Sequence, residues 1–526
     1  RTADTQTYNA GGNTFAIGSG GAVTFQTSGD AIAFNNGSIS LSDNLNVNAA
    51  SGAFTSGAIT GSGTDNVDIQ TTNAAIITGA VSGAGQVNMN AGTSSVSTGN
   101  VTSTNALGVT LDGDAGVTAG NIVTVDGDVD LDATTANIST GSITTAGGNV
   151  TGDTTAGNQT YGAISTGVAA GTGGNVALTS ASGTITFNGN VDTGLGGTAT
   201  TSGTINISGP VLLGSAVSLI TDAATTDQNI TINDSINGAQ ILTLNAGDGT
   251  VQISGNIGTG TALTGFTVSA SDTFTLDNSI TIDVDGPVSI NADDGVTLNG
   301  QVTTNNTSIT IDADVDNSGV GTLTIGDGAG GALADAIDAN GGTISITADD
   351  LVINAASGGI DGSTVTVVTS DGGSIDVGAG NGGGMVIDDA ELGTVTATTL
   401  NIQTTSTATV DSVTAANTAN IGTIDIDVDG TVTVQDVASV FDAAVILDGA
   451  GGVTLSEDVS TQSDAITING DVTVNGARAL NTTSTGAGAN ITVTDDIGGN
   501  AGADTLTVTA GTGTATLAYN AGTTTA

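Results

Sequence analysis

Three phrases of eighteen residues share one frame: VALTSASGTITFNGNVDT (Val176–Thr193), LTLNAGDGTVQISGNIGT (Leu242–Thr259) and LTVTAGTGTATLAYNAGT (Leu506–Thr523). Apolar residues stand at the first, third and twelfth places, and Gly183, Gly249 or Gly513 stands at the eighth. VSINADDGVTLNGQVTT (Val288–Thr304) and VILDGAGGVTLSEDVST (Val445–Thr461) are shorter relatives. The phrases are built from apolar-threonine-apolar triplets, as in Ile230-Thr-Ile232, Leu242-Thr-Leu244, Phe266-Thr-Val268, Phe274-Thr-Leu276 and Ile280-Thr-Ile282. The triplet returns at Val432, Ile466, Val472 and Ile491. Alternation with period two and β-branched residues is the pattern of a half-buried strand. Clusters of Gly, Asn and Asp separate the strands, which are therefore short.

Apolar-threonine-apolar triplets or close variants begin at Val432, Val453, Val472 and Ile491, in steps of 21, 19 and 19 residues. A period near twenty built from short strands is the mark of a solenoid, because one coil cannot close a core and stacked coils can. Coils of a parallel β-helix are spaced by about 4.8 Å, so roughly 20 residues per coil give on the order of 25 coils. The expected fold is all-β, a parallel β-helix (β-solenoid), running as a single continuous domain over residues 1–526. Two stretches read as loop or helical insertions, near 330–342 (GGALADAIDANGG) and 437–445 (VASVFDAAV). An array of Greek-key sandwiches is the rival. It would use Asn-Gly hairpins such as Asn299-Gly300 and Asn469-Gly470, but the buried Trp and sharp linkers usual in such arrays are missing.

Composition narrows the role. The 526 residues carry a formal net charge of −49, and Arg1 and Arg478 are the only basic side chains. Phosphate binding needs Lys or Arg, so a nucleic-acid partner is not expected, nor is attachment to anionic lipid. No apolar run approaches the ~18 residues of a membrane span, so no membrane insertion is expected. Cysteine is absent, so there is no disulfide framework. Of the 51 acidic residues only Glu391 and Glu457 are glutamate. Asp and Asn favour turns by bonding nearby backbone, which suits a turn-rich β protein. The chain opens on Arg1 and reads as a mature or excised segment of an exported protein.

SINGAQILTLNAGDGTVQISGNIGTGTALTGFTVSA (Ser235–Ala270), NQTYGAIST (Asn158–Thr166) and the opening TQTYNAGGNTF resemble repeats of large bacterial surface proteins of the filamentous haemagglutinin type. The likeness is one of composition and rhythm, covers most of the chain and contains no catalytic motif. It implies a right-handed β-helix, export to the cell surface, and a role in adhesion or a surface structure. The family's secretion domain is missing from this sequence.

No enzyme is expected. The chain has no His, Lys or Cys to act as base or nucleophile. Phe15, Phe25, Phe34 and Phe54 alternate with polar residues and read as core. Strings of the GxGxxG kind do not open a helix and carry no dinucleotide reading. The acidic runs are more informative. GTIDIDVDGTVTVQD holds Asp425, Asp427, Asp429 and Asp436, in the order of a calcium loop with Asp at the last place. Asp126, Asp128 and Asp130, then Asp283 and Asp285, then Asp312, Asp314 and Asp316 form similar runs. Two readings stay open: a solvated face screened by salt, and ordered calcium bound by oxygens that stacked coils bring about 5 Å apart.

The expected function is a rod-like structural subunit of a bacterial surface filament, sheath or layer, located outside the cell. The alternative is an adhesin stalk or receptor-binding segment meeting other cell-surface components. A threonine surface for ice or mineral ranks below both. Tyr8-Asn9-Ala10-Gly11 returns as Tyr519-Asn520-Ala521-Gly522, which places the last phrase in step with the first. The expected partner is therefore a second copy, stacked head to tail; the other reading makes both ends cuts through a longer repetitive polypeptide.

Overall fold

The computed structural model describes residues 4–18, 20–326, 337–354, 359–379, 384–500 and 504–518. Two compact units comprise Arg1–Leu263 with Ser269–Ser271, and Thr264–Val268 with Asp272–Ala526. Each unit is a parallel β-solenoid whose coil runs round three faces.

In unit 1, face A begins with Gln6–Asn9, Ile32–Asn35 and Phe54–Thr55, face B with Phe15–Ile17, Ile39–Leu41 and Ile59–Thr60, and face C with Val23–Gln26, Leu45–Asn48 and Val67–Gln70. Equivalent residues stack. Leu45, Val67, Val87, Val109, Val129, Val150 and Val176 form one column on face C, at steps of 22, 20, 22, 20, 21 and 26 residues. All seven are buried. Burial of each such side chain is worth about 1.5–3 kcal/mol, so the columns are the main source of stability. The steps vary because the strands hold register while the corners absorb insertions.

The corners explain the bias toward Asn and Asp. Asn90 Oδ1 accepts the N–H of Gly92 at 2.8 Å, and Ser94 N–H closes the turn onto Ala91 O at 3.1 Å. The same Asx turn is made by Asn9 with Gly11, Asn48 with Ala50, Asn245 with Gly247 and Asp338 with Asn340. The residue after the alanine has positive φ in each, from Asn340 and Ala50 at 48° to Gly11 at 57°. The eighteen-residue phrase is thus a strand-corner-strand unit, not a fixed place on the coil. In Val176–Thr193 it carries the chain from Val176–Ser180 on face C to Ile185–Phe187 on face A, and in Leu242–Thr259 from Ile241–Asn245 on face B to Val251–Ile253 on face C. Its glycine meets the backbone of the coil beneath: a Cβ on Gly183 would lie 1.9 Å from Gly157 O.

Inside the corners run stacks of buried hydroxyls. Ser103, Thr124, Thr145, Thr166, Thr193 and Thr221 follow face B and are buried. Thr145 donates to Gly148 O and Thr193 to Gly203 O at 2.6 Å, each further along its own corner, while Ser103 donates back to Gly85 O of the preceding coil at 2.6 Å. A carbonyl turned into the core must find a donor, and threonine supplies one without leaving the β-branched pattern.

Unit 2 repeats the plan. Thr281–Val284 and Gln301–Thr304 lie on face A, Val288–Asn291 and Ile309–Asp312 on face B, and Phe274–Leu276 and Val296–Leu298 on face C. Ile360–Thr369 and Val395–Thr404 pass from A to B as single long strands: Ile360 pairs with Ile337 and Val365 with Ile344. The triplets point inward as expected, although in Ile280-Thr-Ile282 the inward pair is Ile282 and Val284, with Ile280 half-buried.

The two expected insertions fare differently. Residues 437–445 form no helix: Ser439–Phe441 and Ala444–Gly449 are strands, because Phe441, Val445 and Leu447 fill core columns. Residues 330–336 of the other expected insertion lie outside the described residues, and Ile337–Asp338 is strand. Arg478 sits within the strand Ala477–Asn481. The described residues hold two helices, both unexpected, α1 (Asp389–Leu392) and α2 (Ala415–Thr418). No helix among them is long and apolar enough to cross a membrane.

Candidate functional site

Outward residues stack as strictly as inward ones, and this creates acidic columns. On face C of unit 1, Asn90, Asp112, Asp132 and Asp153 follow one another in register. Asn90 Nδ2 donates to Asp112 Oδ2 at 2.6 Å. In the neighbouring column Thr151 Oγ1 donates to Asp130 Oδ1 at 2.7 Å. Partial burial, then the charges of Asp132, Asp114 and Asp130, raise the carboxyl of Asp112 above its ordinary value; burial, then Asp153, Asp130 and Asp114, do the same at Asp132. Neighbouring hydroxyl and amide donors relieve some of this repulsion, but among the described residues no basic side chain does.

The structure distributes the expected calcium ligands along the coils. Asp126 is in a corner with φ 62°, Asp128 Oδ1 accepts Asn149 N–H at 2.7 Å, and Asp130 faces outward on its strand. Asp283 faces outward and Asp285 follows in the corner. Asp312 ends a strand; burial raises it, its bond from Asp314 N–H opposes this, and the Asp314 charge adds to the rise. Asp314 is buried. Burial acts against its charge, but Ser370 Oγ and the N–H groups of Ser318 and Gly319 outweigh it and hold the carboxyl below its ordinary value. Asp314 and Asp316, which also accepts from Ser318 N–H at 3.0 Å, thus fold their own loop. Asp425 and Asp427 share one outward row of Ile421–Val428, Asp429 lies in the next corner, and Asp436, with φ 60°, lies beyond the following strand Val432–Val434. Burial, then Asp427 and Asp448, raise Asp425. Among the described residues no three acidic groups converge on one point.

Asp427 and Asp429 border a shallow groove of about 310 Å³, lined also by Ser370, Gln403 and Thr404. It is open, and its lining is mixed, with Val368 and Gly372 beside the polar residues.

Of the expected self-assembly residues, Tyr8 and Asn9 lie on Gln6–Asn9, while Tyr519 and Asn520 lie outside the described residues. Asn9 is committed to its own Asx turn, the motif shared with Asn90 and Asn245. Tyr8 stacks on Phe34 at 4.8 Å between centroids and meets Phe25 edge-on at 5.4 Å. Phe34 and Phe54 are buried, whereas Tyr8, Phe15 and Phe25 in the first coil are half-buried.

No family model matches the chain, and no curated protein or solved structure matches it either.

Proposed function

We propose that the chain is a structural, non-enzymatic protein of the bacterial cell exterior, a β-solenoid segment from which a surface filament, sheath or layer is built. The observation that carries this reading is the register of the coils, in which strand edge meets strand edge in parallel and buried residue follows buried residue, as from Leu45 to Val176. Strand edges of this kind accept another strand in the same register, and apolar columns continue across the joint. Copies stacked head to tail form a contact that does not close, and so a filament. The acidic outer columns keep such a polymer soluble and attract cations, calcium among them, to its surface.

Imaging of purified chains of this length, with and without calcium, tests the reading. Filaments that lengthen with concentration support it. Chains that remain single at high concentration overturn it, and single rods anchored to cells identify an adhesin stalk instead. Deleting residues 514–526 must abolish polymerisation if the stacking is head to tail.

A further inference from the structure

On face C of unit 2, Phe274–Leu276, Val296–Leu298, Thr322–Ile325 and Asp350–Ile353 form a continuous ladder. A second ladder begins with Met385–Asp388 and passes through Ile375–Gly378 to Ala408–Asp411. Met385–Asp388 follows Ile375–Gly378 in the chain yet lies on its Asp350–Ile353 side. Among the described residues no backbone ladder joins Asp350–Ile353 to Met385–Asp388. Two carboxylates bridge the seam. Asp350 Oδ1 accepts Val386 N–H at 3.1 Å, and Glu391 Oε1 accepts Ile353 N–H at 2.8 Å. The second oxygen of Glu391 accepts Asp388 N–H at 2.8 Å, and Asp388 Oδ1 accepts Glu391 N–H at 2.7 Å, which closes a capping box on α1.

Glu391 is 8% exposed. The acidic groups on its neighbouring elements are Asp350 on the strand across the seam, Asp388 on the strand before α1, Asp389 on α1 and Asp376 on Ile375–Gly378, and of these Asp388 and Asp350 act on its charge. Asp389 is held by Thr414 and Asn417, and Asp376 accepts from Thr409 Oγ1. The strand Val395–Thr404 and α2 contribute no titratable side chain. Arg478, the one basic side chain among the described residues, pairs with Glu457 at 3.7 Å.

We propose that Glu391 makes this seam a proton-dependent joint, in which the two ladders are held more tightly when Glu391 carries a proton than when it is ionised. The chemistry is that of a hidden carboxyl among other carboxyls. Burial pushes Glu391 up to about 7, the two N–H donors pull the other way without prevailing, and Asp388 and Asp350 add to the rise. When the seam opens, Glu391 returns to water and to its ordinary acidity. Opening is therefore suppressed below the ordinary value, grows as pH rises through the folded one, and levels off above it. Across that window the opening constant rises about tenfold per pH unit. The inference does not depend on the structural role proposed above.

Hydrogen exchange read by mass spectrometry tests it on the intact chain at constant ionic strength, after correction for the intrinsic pH dependence of exchange. Peptides covering residues 350–354 and 384–392 are expected to lose protection by about tenfold per unit between pH 5 and pH 7 and little more above. Peptides covering residues 67–90 of unit 1 should hold constant. Glu391→Gln, which keeps the size and cannot ionise, should flatten the profile whatever its absolute protection. A flat profile in the native chain, an equal slope at residues 67–90, or a slope that survives in Glu391→Gln overturns the proposal.

Discussion

The hydroxyl of Tyr161 donates to Oε1 of Gln159 at 2.8 Å, and the pair is fully buried in the core of unit 1. Gln159 Nε2 in turn donates to Thr179 O and Thr154 Oγ1. The tyrosine fits because its coil neighbour in the Leu131, Leu178 column is Gly152: a Cβ there would lie 2.0 Å from the Tyr161 hydroxyl. Gln6 and Tyr8 repeat the bond at 2.9 Å in the first coil. Tyr161→Phe removes the donor and leaves Gln159 Oε1 unpaired, at a cost of about 1–3 kcal/mol. Gly152→Ala should cost at least as much, because the ring must shift in a packed core. Urea unfolding checks both, and Gly152→Ala combined with Tyr161→Phe should cost less than the two single changes added together.

At Gly92 a corner glycine has two reasons to be glycine. Its φ is 55°, and a Cβ would lie 2.0 Å from Thr72 O of the coil beneath. Gly92→Ala is expected to destabilise unit 1 by about 2 kcal/mol, more than the left-handed backbone alone explains. Ala50 occupies the matching place in its own corner with φ 48°, so the backbone conformation itself admits alanine. A thermal shift no larger than that of an exposed Gly→Ala control would show that the close approach is unimportant.

How much of this was legible in the sequence depends on which interaction carries the signal. The inward columns were legible, since Val432-Thr-Val434 and its relatives state burial in alternate letters and one face of a solenoid strand is always core. The corners were half legible. Asn90-Ala-Gly92 and Asn245-Ala-Gly247 are visible repeats, but their Asx turns occur at corners of different faces, so a shared phrase does not imply a shared place on the coil. The same fact weakens Tyr8-Asn9-Ala10-Gly11 as a sign of register between the ends. The buried hydroxyl stack was missed because Thr124, Thr145 and Thr166 look like the outward threonines of the triplets. Their spacing from a following glycine, Thr124 to Gly127 and Thr145 to Gly148, was the available cue. α1 and the seam escaped notice because Glu391 acts on Ile353 from 38 residues away.

Thr145 offers a direct test of that stack. Its hydroxyl is buried and bonds Gly148 O. Thr145→Val keeps the shape and removes the donor, so the corner carbonyl loses its partner. The expected loss is about 1–2 kcal/mol in unfolding free energy. The same change at outward Thr144 on face B should fall within about 0.5 kcal/mol of the native chain. Equal effects at the two sites would deny the corner hydroxyl its role.

The acidic columns give a pH and salt dependence of definite sign. Asp112 and Asp132 are raised in the folded state, chiefly by burial and then by neighbouring aspartates. A carboxyl raised by folding favours the folded chain below its ordinary value, and that advantage is lost as pH rises through the folded value. Around pH 7, then, ionised columns oppose folding. Asp112→Asn should stabilise the chain slightly at pH 7, by about 0.5 kcal/mol or less given the exposure of the column, and have no such benefit near pH 3. Sodium chloride should raise the Tm by screening. If calcium is bound at ordered sites, it should exceed both sodium and magnesium at equal ionic strength, by mass action on the folded state alone. Equal effects would reduce the calcium proposal to screening.

Arg478 allows opening of the C-terminal coils to be read with a protease. Arg1 and Arg478 are the only sites for trypsin in the sequence. Arg478 lies in a strand paired with Thr505–Thr509 on one side and Val459–Thr461 on the other, its Nε bonds Asn475 O at 2.7 Å, and its guanidinium meets Glu457. A protease needs the strand extended and released, so native cleavage tracks the population in which this part of the solenoid is open. Native chain should resist trypsin for hours under conditions that cut the urea-unfolded chain once, after Arg478. Because coils unfold with their neighbours, Leu480→Ala, which empties a buried core place in the same strand, should accelerate the native cut at least tenfold. Rapid cutting of the native chain, or a rate indifferent to Leu480→Ala, would mean that the strand is not held in the ladder described here.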